Sequence, residues 1–294
     1  MSDTGAAPPT DPVAADQAVL DEIGARHGLW APGTAGATLA RGGENTTVAV
    51  EGWVVRFNED HDAVAREAAL LGALARATSV STPVPQVHDD RLGLLIYRRL
   101  PGEPLLARQQ RPAAGAVAAL TEVLAALRQI PEAQRLPVDD YPNDAWHQDA
   151  LEHFRATSSR LEPERAAVIA FFLSEPVPPN RDLLVPQHND LGAEHILVDR
   201  TGVVTGVIDW TDAARTDPAR DLGRLYRDLG SEIAFGVAAA LDGPVGDDER
   251  TRIQFHARCT WLEDFRYAVD DPGPRALYLD NCLRTFDHTF GNPA

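Results

Sequence analysis

Residues 183–228, LLVPQHNDLGAEHILVDRTGVVTGVIDWTDAARTDPARDLGRLYRD, restrict the fold more than any other part of the chain. Three apolar runs lie within them, Leu183 to Val185, Ile196 to Val198 and Val203 to Ile208. They are too short for helices and rich in β-branched residues, so they read as strands, the last two joined as a hairpin. Asp190 lies just beyond the first run, His195 stands five residues later, and Asp209 ends the third run. Two acids at strand ends joined by a hairpin can face one another across a small space. One can sit beside a hydroxyl as a base while the other holds a metal ion. Chemistry that needs positioning and charge neutralisation, as phosphoryl transfer does, is served by such a pair.

The first hundred residues have another character. Residues 1–15, rich in Ala, Pro, Asp and Thr, read as a loose tail. Val19, Leu20 and Ile23 predict a short amphipathic helix from Asp16, stopped at His27-Gly28. Val48 and Val50 alternate, Trp53 to Phe57 is a second β-rich run, and Glu51-Gly52 between them suits a tight hairpin. A helix is predicted over 61–77, with Val64, Leu70, Leu71 and Leu74 on one side. After Pro83-Val84-Pro85, Leu94 to Tyr97 reads as a buried strand ending at Pro101-Gly102. Beyond it the pattern is helical over 111–130, 145–172, 218–241 and 249–288. The expected fold class is α+β, with a small strand-rich region over 1–100 and a larger, mainly helical one over 101–294.

Composition excludes whole classes of function. Of 294 residues 27 are basic and 44 acidic, a formal charge of −17, and every basic residue is Arg. Without Lys the chain has no Lys nucleophile, no Schiff base and no phosphate-loop Lys, which removes Walker-type ATPases. An acidic chain without an Arg-rich run is not expected to take nucleic acid as a partner. Its acidity suits a cationic small molecule, and serves solubility equally well. Cys259 and Cys282 are expected to be buried, reduced thiols. No apolar stretch has membrane-span length and the first residues lack an export signal, so a cytoplasmic monomer without membrane contact is expected.

His188-Asn189-Asp190, then His195, then Asp209-Trp210 follow the kinase order H-x-D-x-x-x-x-N and a metal-binding Asp. With DPARDL at 217–222, the segment resembles the aminoglycoside and macrolide phosphotransferase family, and HNDLGAEHIL with GVIDWTDA is most similar to the macrolide branch. The resemblance implies a bilobal protein-kinase-like fold with a cleft near residue 100. It also implies transfer of a γ-phosphoryl group from ATP or GTP to a hydroxyl of a small molecule. An amino-sugar antibiotic is the expected acceptor, macrolide before aminoglycoside, with a sugar, choline or homoserine type metabolite as the alternative.

By the same resemblance, Asp190 orients the hydroxyl and accepts its proton, while His188 supports the loop. Asp209 with His195 holds Mg²⁺, and the imidazole, uncommon for Mg²⁺, makes Mn²⁺ a second candidate. Asp217 and Asp221 brace the catalytic loop, Asp217-Pro218 also suiting a plain helix start. Arg56 stands where kinases carry Lys, and Glu67 on the following helix is its expected partner. Gly42, Gly43, Asn45 and Thr46 are placed over the phosphates, and Ile96, Tyr97, Arg98 and Leu100 around the purine.

Ordinary roles exist for these residues as well. Asp190 alone suits a loop or cap, His195 beside Ile196 a core histidine, Gly42-Gly43 a simple turn, Glu67 and Arg98 solvated positions. Glu194 and Asp212 are candidate contacts for a cationic acceptor. So are Trp261, Asp264 and Tyr267, spaced by three on one helix, although Trp261 and Tyr267 equally suit core packing. The competing class is a catalytically silent nucleotide or ligand binder. Arg56 and His195 favour it; retention of Asp190 and Asp209 opposes it.

Overall fold

The structure, a computed structural model, describes residues 17–41, 45–108 and 114–291. Gly42 and Gly43 lie outside the described residues, and for Asn45 the backbone alone is described. The chain divides into two compact units: the described residues through Ala68 together with Val84–Arg99, and Ala69–Pro83 together with those from Leu100 onward.

The first unit begins with helix α1 (Gln17–His27) and strands β1 (Ala37–Arg41), β2 (Asn45–Val50) and β3 (Trp53–Asn58). Helix α2 (His61–Ala77) then runs across the division between the units, and β4 (Pro85–Asp89) and β5 (Leu94–Arg98) return to the first. The strands form one antiparallel sheet in the order β1-β2-β3-β5-β4. Val50 pairs with Trp53, so Glu51 and Gly52 alone make the β2–β3 turn. Both have positive φ, 44° and 80°, as a two-residue turn between right-twisted strands requires.

Alternation along the strands sorts the sheet into two faces. Val48, Val50, Trp53, Val55, Leu94 and Ile96 pack with Leu20, Ile23 and Trp30 in one apolar cluster. Val54, Arg56, Leu95 and Tyr97 occupy the other face, with Arg56 opposite Leu95 and Val54 opposite Tyr97. The guanidinium of Arg98, at the end of β5, lies 3.7 Å over the Trp53 ring.

The second unit holds β6 (Glu103–Pro104), α3 (Ala116–Gln129), α4 (Asn143–Thr157), α5 (Pro163–Phe172), β7 (Val185–Gln187), β8 (Ile196–Val198), β9 (Val204–Val207) and β10 (Ala214–Thr216). Helices α6 (Ala219–Leu229), α7 (Ser231–Asp242), α8 (Asp247–Asp270) and α9 (Ala276–Phe290) complete it. Strands β6-β8-β9 form one small sheet and β10-β7 another. The hairpin β8–β9 is thus the predicted one. The strand before it differs, because Leu183 and Leu184 precede β7 and Leu183 is exposed. Three predicted helical stretches are also broken. Residues 145–172 divide where a single 3₁₀ turn and Pro163 intervene, 218–241 at Gly230 (φ 89°), and 249–288 at the segment containing Pro272 and Pro274.

The helical core gathers Phe172, Phe255, Trp261, Phe265, Phe286 and Phe290 with the buried free thiols Cys259 and Cys282. Trp261 is fully buried, stacks on Phe265 at 5.0 Å and donates its indole N–H to the Cys282 carbonyl at 2.9 Å. It is a core residue and is unavailable to an acceptor. No helix among the described residues is long and apolar enough to cross a membrane.

Helix α6 lies against α8 at Gly223, where a Cβ would come within 2.7 Å of the His256 Cβ and 2.9 Å of the Ala257 nitrogen. Backbone and Cβ atoms cannot swing aside as a side-chain tip can. Gly223→Ala is therefore expected to lower stability by roughly 1–3 kcal/mol through overpacking. Calorimetric melts of both proteins test this, and an unchanged or raised melting temperature contradicts it.

Candidate active site

Strand β7 delivers the chain into a tight loop, His188 to His195, which the β8–β9 hairpin then follows. Two non-glycine residues here occupy the left-handed region, Asn189 (φ 68°) and Asp209 (φ 63°). Asn and Asp tolerate it better than other side chains, and such strain persists only where surrounding contacts impose it.

Those contacts come mainly from α6. Asp221 accepts the His188 N–H at 2.8 Å and the Leu191 N–H at 3.4 Å, and Asp228 accepts the Ala193 N–H at 2.7 Å. Asn189 donates to Asp139 at 3.0 Å, and Arg220 pairs with the same carboxylate at 2.6 Å. Arg224 donates from Nε to Asp190 Oδ1 at 2.8 Å. Arg227 meets Asp228 through two bonds of 2.8 Å and Asp264 at 2.9 Å, with Glu194 at 3.8 Å. At the start of the helix Asp217 accepts the Ala219 N–H at 2.8 Å, a capping bond.

His188 is fully buried, packs on Trp210 with ring centroids 4.6 Å apart, and donates from Nε2 to the Ile208 carbonyl at 2.9 Å. Burial lowers its pKa to about 4, so it is neutral and braces the loop. His195 donates from Nδ1 to the Asp190 carbonyl at 2.7 Å, and its Nε2 lies 3.7 Å from Asp209 Oδ2. Burial opposes its charge, but Asp190, Glu194 and Asp209 outweigh that and raise it to about 9. Burial likewise opposes ionisation of Asp190, yet Arg224 foremost, then His195 and His188, bring its carboxyl down to about 2. Glu194 and Asp264 are pushed up by burial, each partly offset by Arg227. Asp212 is raised by desolvation and by the charges of Asp190 and Asp209.

A cation would find a fitting donor set here. Ligand atoms of Asp190, Glu194 and His195 all lie within 4.8 Å of one another, and Glu194 Oε2 is buried without a hydrogen bond among the described residues. Asp209, nearly half exposed, adds a carboxylate beside His195. Carboxylate oxygens are the donors Mg²⁺ prefers, and the imidazole is tolerated more readily by Mn²⁺.

The second unit thus gathers His188, Asp190, Glu194, His195 and Asp209, with Asp264 joined to Glu194 through Arg227. Tyr267 is exposed, lies edge-on to Tyr278 at 5.1 Å and is covered on one face by Arg275 at 3.8 Å. In the first unit Arg56 and Glu67 form a buried ion pair of 2.7 Å. Two of the expected nucleotide contacts there lie on the sheet face away from Arg56. Ile96 belongs to the opposite sheet face from Arg56, among the apolar cluster, whereas Tyr97 shares the Arg56 face. Thr46 pairs with Phe57 and so shares its face; Thr47, opposite Arg56, is on the Arg56 side. Arg98 is engaged with Trp53. Leu100 belongs to the second unit, near Gly206.

Arg224, Arg227 and Tyr278 were not among the expected site residues. Arg220, Arg224 and Arg227 at spacings of four and three form one stripe on α6, which is the signal that marks them.

Fold and loop together define a kinase-like small-molecule phosphotransferase. The match of residues 36–276 to the model of the phosphotransferase enzyme family (APH) covers most of the chain, and the protein belongs to that family. It is 33% identical over 87 residues to viomycin phosphotransferase of Streptomyces vinaceus, an alignment spanning 29% of this chain and 30% of that relative. An aminoglycoside 2'-phosphotransferase solved as its GDP complex superposes with a TM-score of 0.59 at 20% identity, over 88% of this chain and 93% of the other. The macrolide 2'-phosphotransferase of Brachybacterium faecium gives 0.56 at 21% identity, over 94% and 98%. These likenesses establish the shared α+β kinase-like fold.

Beneath α6, His256 is fully buried, edge-on to Trp146 at 5.5 Å, and neither ring nitrogen has a hydrogen bond among the described residues. Burial, then Arg220, Arg224 and Arg252, lower its pKa to about 3. The unfolded chain protonates this imidazole near pH 6.5 and the folded one does not. Stability from the neutral ring is therefore complete above pH 6.5 and is lost as pH falls toward 3, at up to about 1.4 kcal/mol per pH unit. His256→Phe is expected to hold its melting temperature better than the parent between pH 6.5 and 5. Parallel melting curves at both pH values would refute this.

Proposed function

We propose that the protein transfers a γ-phosphoryl group from ATP or GTP to a hydroxyl of a cationic, amino-sugar-bearing antibiotic, macrolide before aminoglycoside. The observation that carries this reading is Asp190: a carboxylate in a strained loop, held by Arg224 and set beside His195, Asp209 and Glu194. The activities of the relatives, on aminoglycosides, macrolides and viomycin, support an antibiotic acceptor. The likeness of HNDLGAEHIL and GVIDWTDA to the macrolide branch sets the order of preference.

In this reading Asp190 accepts a hydrogen bond from the acceptor hydroxyl and aims its oxygen at the γ-phosphorus. The new O–P bond forms as the β–γ bridging oxygen leaves with its electron pair, and the hydroxyl proton passes to Asp190. A carboxyl with a pKa of about 2 is a weak base, so its main contribution is orientation. Orientation suffices for a loose transition state, in which little charge develops on the attacking oxygen. Asp209 and His195, with Glu194, would hold Mg²⁺ or Mn²⁺, which when bound neutralises charge on the phosphate oxygens. Arg56, fixed by Glu67, is the residue assigned to the nucleotide phosphates.

For the acceptor, the acids Asp190, Glu194, Asp209, Asp212 and Asp264 outnumber the cations Arg224, Arg227 and His195 around the loop. Glu194 and Asp264 are held above the usual carboxylate range mainly by burial, so an ammonium group arriving beside them would favour their ionised forms. Tyr267 with Tyr278 offers an aromatic edge next to them, since Glu194 and Asp264 both act on the Tyr278 hydroxyl. A cytoplasmic monomer without nucleic-acid partners completes the proposal.

Incubation with ATP or GTP and Mg²⁺ across macrolides, aminoglycosides and hydroxylated metabolites, read by mass spectrometry, tests it. Gain of one phosphate is expected on a cationic antibiotic. Asp190→Asn should keep nucleotide-induced thermal shifts and lose transfer by roughly 10²- to 10⁴-fold. Transfer undiminished in that variant would contradict the role given to Asp190. Nucleotide binding with no transfer to any acceptor would instead favour a silent binding protein.

A further inference from the structure

The geometry points to Arg224 as a positioning residue that reserves one oxygen of the Asp190 carboxylate for the acceptor hydroxyl. This inference rests on the phosphotransfer reading above. Arg224 Nε holds Asp190 Oδ1 at 2.8 Å, and with its side chain 10% exposed the bond is shielded from solvent. The other oxygen, Oδ2, lies 3.5 Å from His195 Nδ1, but that nitrogen already donates to the Asp190 backbone carbonyl at 2.7 Å. Asp190 retains 29% side-chain exposure. A hydroxyl arriving at the loop therefore meets a carboxylate with one oxygen committed and the other open, in one orientation.

The surroundings show that this contact serves position. Nη1 of Arg224 is enclosed and has no hydrogen bond among the described residues, a costly arrangement for a buried guanidinium whose purpose is only to stabilise the fold. Its enclosure also keeps it from touching an acceptor, so Arg224 works through Asp190. One turn earlier on the same helix, Asp221 accepts the His188 and Leu191 N–H groups. A single helix thus fixes both the loop backbone on either side of Asp190 and the rotamer of its side chain. Without Arg224, no other side chain among the described residues donates a hydrogen bond to the Asp190 carboxylate, and its orientation is no longer fixed.

The test compares the parent with Arg224→Met and Arg224→Lys, each also in an Asp190→Asn background. Transfer is measured to whichever acceptor the parent phosphorylates, and thermal unfolding is followed in the absence of acceptor. Arg224→Met should lower kcat by about 10- to 100-fold, the scale of a lost orientation. The acceptor KM should stay within a few-fold, and Arg224→Lys should recover part of the loss. In unfolding, the melting-temperature cost of Arg224→Met should shrink markedly once Asp190 is Asn, because the two side chains act as a pair. An unchanged kcat in Arg224→Met would overturn the inference. So would a loss in KM alone, or melting costs that simply add. A parent that phosphorylates nothing would defeat the functional reading instead, and the additivity of the melts would still decide whether Arg224 acts on Asp190.

Discussion

Five charged side chains are buried on one eleven-residue helix, and the loop from His188 to His195 depends on them. Arg220, Asp221, Arg224, Arg227 and Asp228 of α6 are each largely removed from water. Burying isolated charges is prohibitively costly, so each must find a partner. The loop and its flanks supply most of them: Asp139, the amides of His188 and Leu191, the Asp190 carboxylate, Glu194 and the Ala193 amide. Helix and loop are thereby mutually determined. The left-handed backbone at Asn189 follows as a consequence, because amides on both sides of it are tied to Asp221.

The absence of lysine acquires a local meaning here. A guanidinium stays charged when buried and presents its donors in a fixed plane, whereas a buried ammonium readily loses its proton. The cations that brace the loop, Arg220, Arg224 and Arg227, are of the kind that survives burial, as is Arg56 in the first unit. The net charge of −17 does not locate the site.

Much of this was legible in the chain itself. The hairpin turn at Glu51-Gly52, the hairpin carrying Asp209 and the helix start at Asp217-Pro218 follow from local chemistry: positive-φ turn residues, β-branched runs and an Asp-Pro pair. The bracing of the loop by DPARDL and the Arg56–Glu67 pair were legible only through the resemblance to the family. Tertiary context hid the rest. Ile96 and Tyr97 face opposite ways as neighbours on one strand, but only the register with β3 shows that Tyr97, and not Ile96, shares the Arg56 face. Trp261, Asp264 and Tyr267 share a helical spacing, yet α9 covers the first and leaves the last exposed. The Arg stripe of α6 resembles a solvated helix face until the loop that packs on it is seen.

The central claim is that α6 holds the catalytic loop in its strained form through Asp221. Hydrogen exchange over residues 186–194 in the parent and in Asp221→Ala tests it most directly. The account predicts that the variant loses protection at the His188 and Leu191 amides while the β2–β3 hairpin, in the other unit, exchanges as before. Unaltered protection across 186–194 would contradict it, as would an equal loss of protection throughout both units.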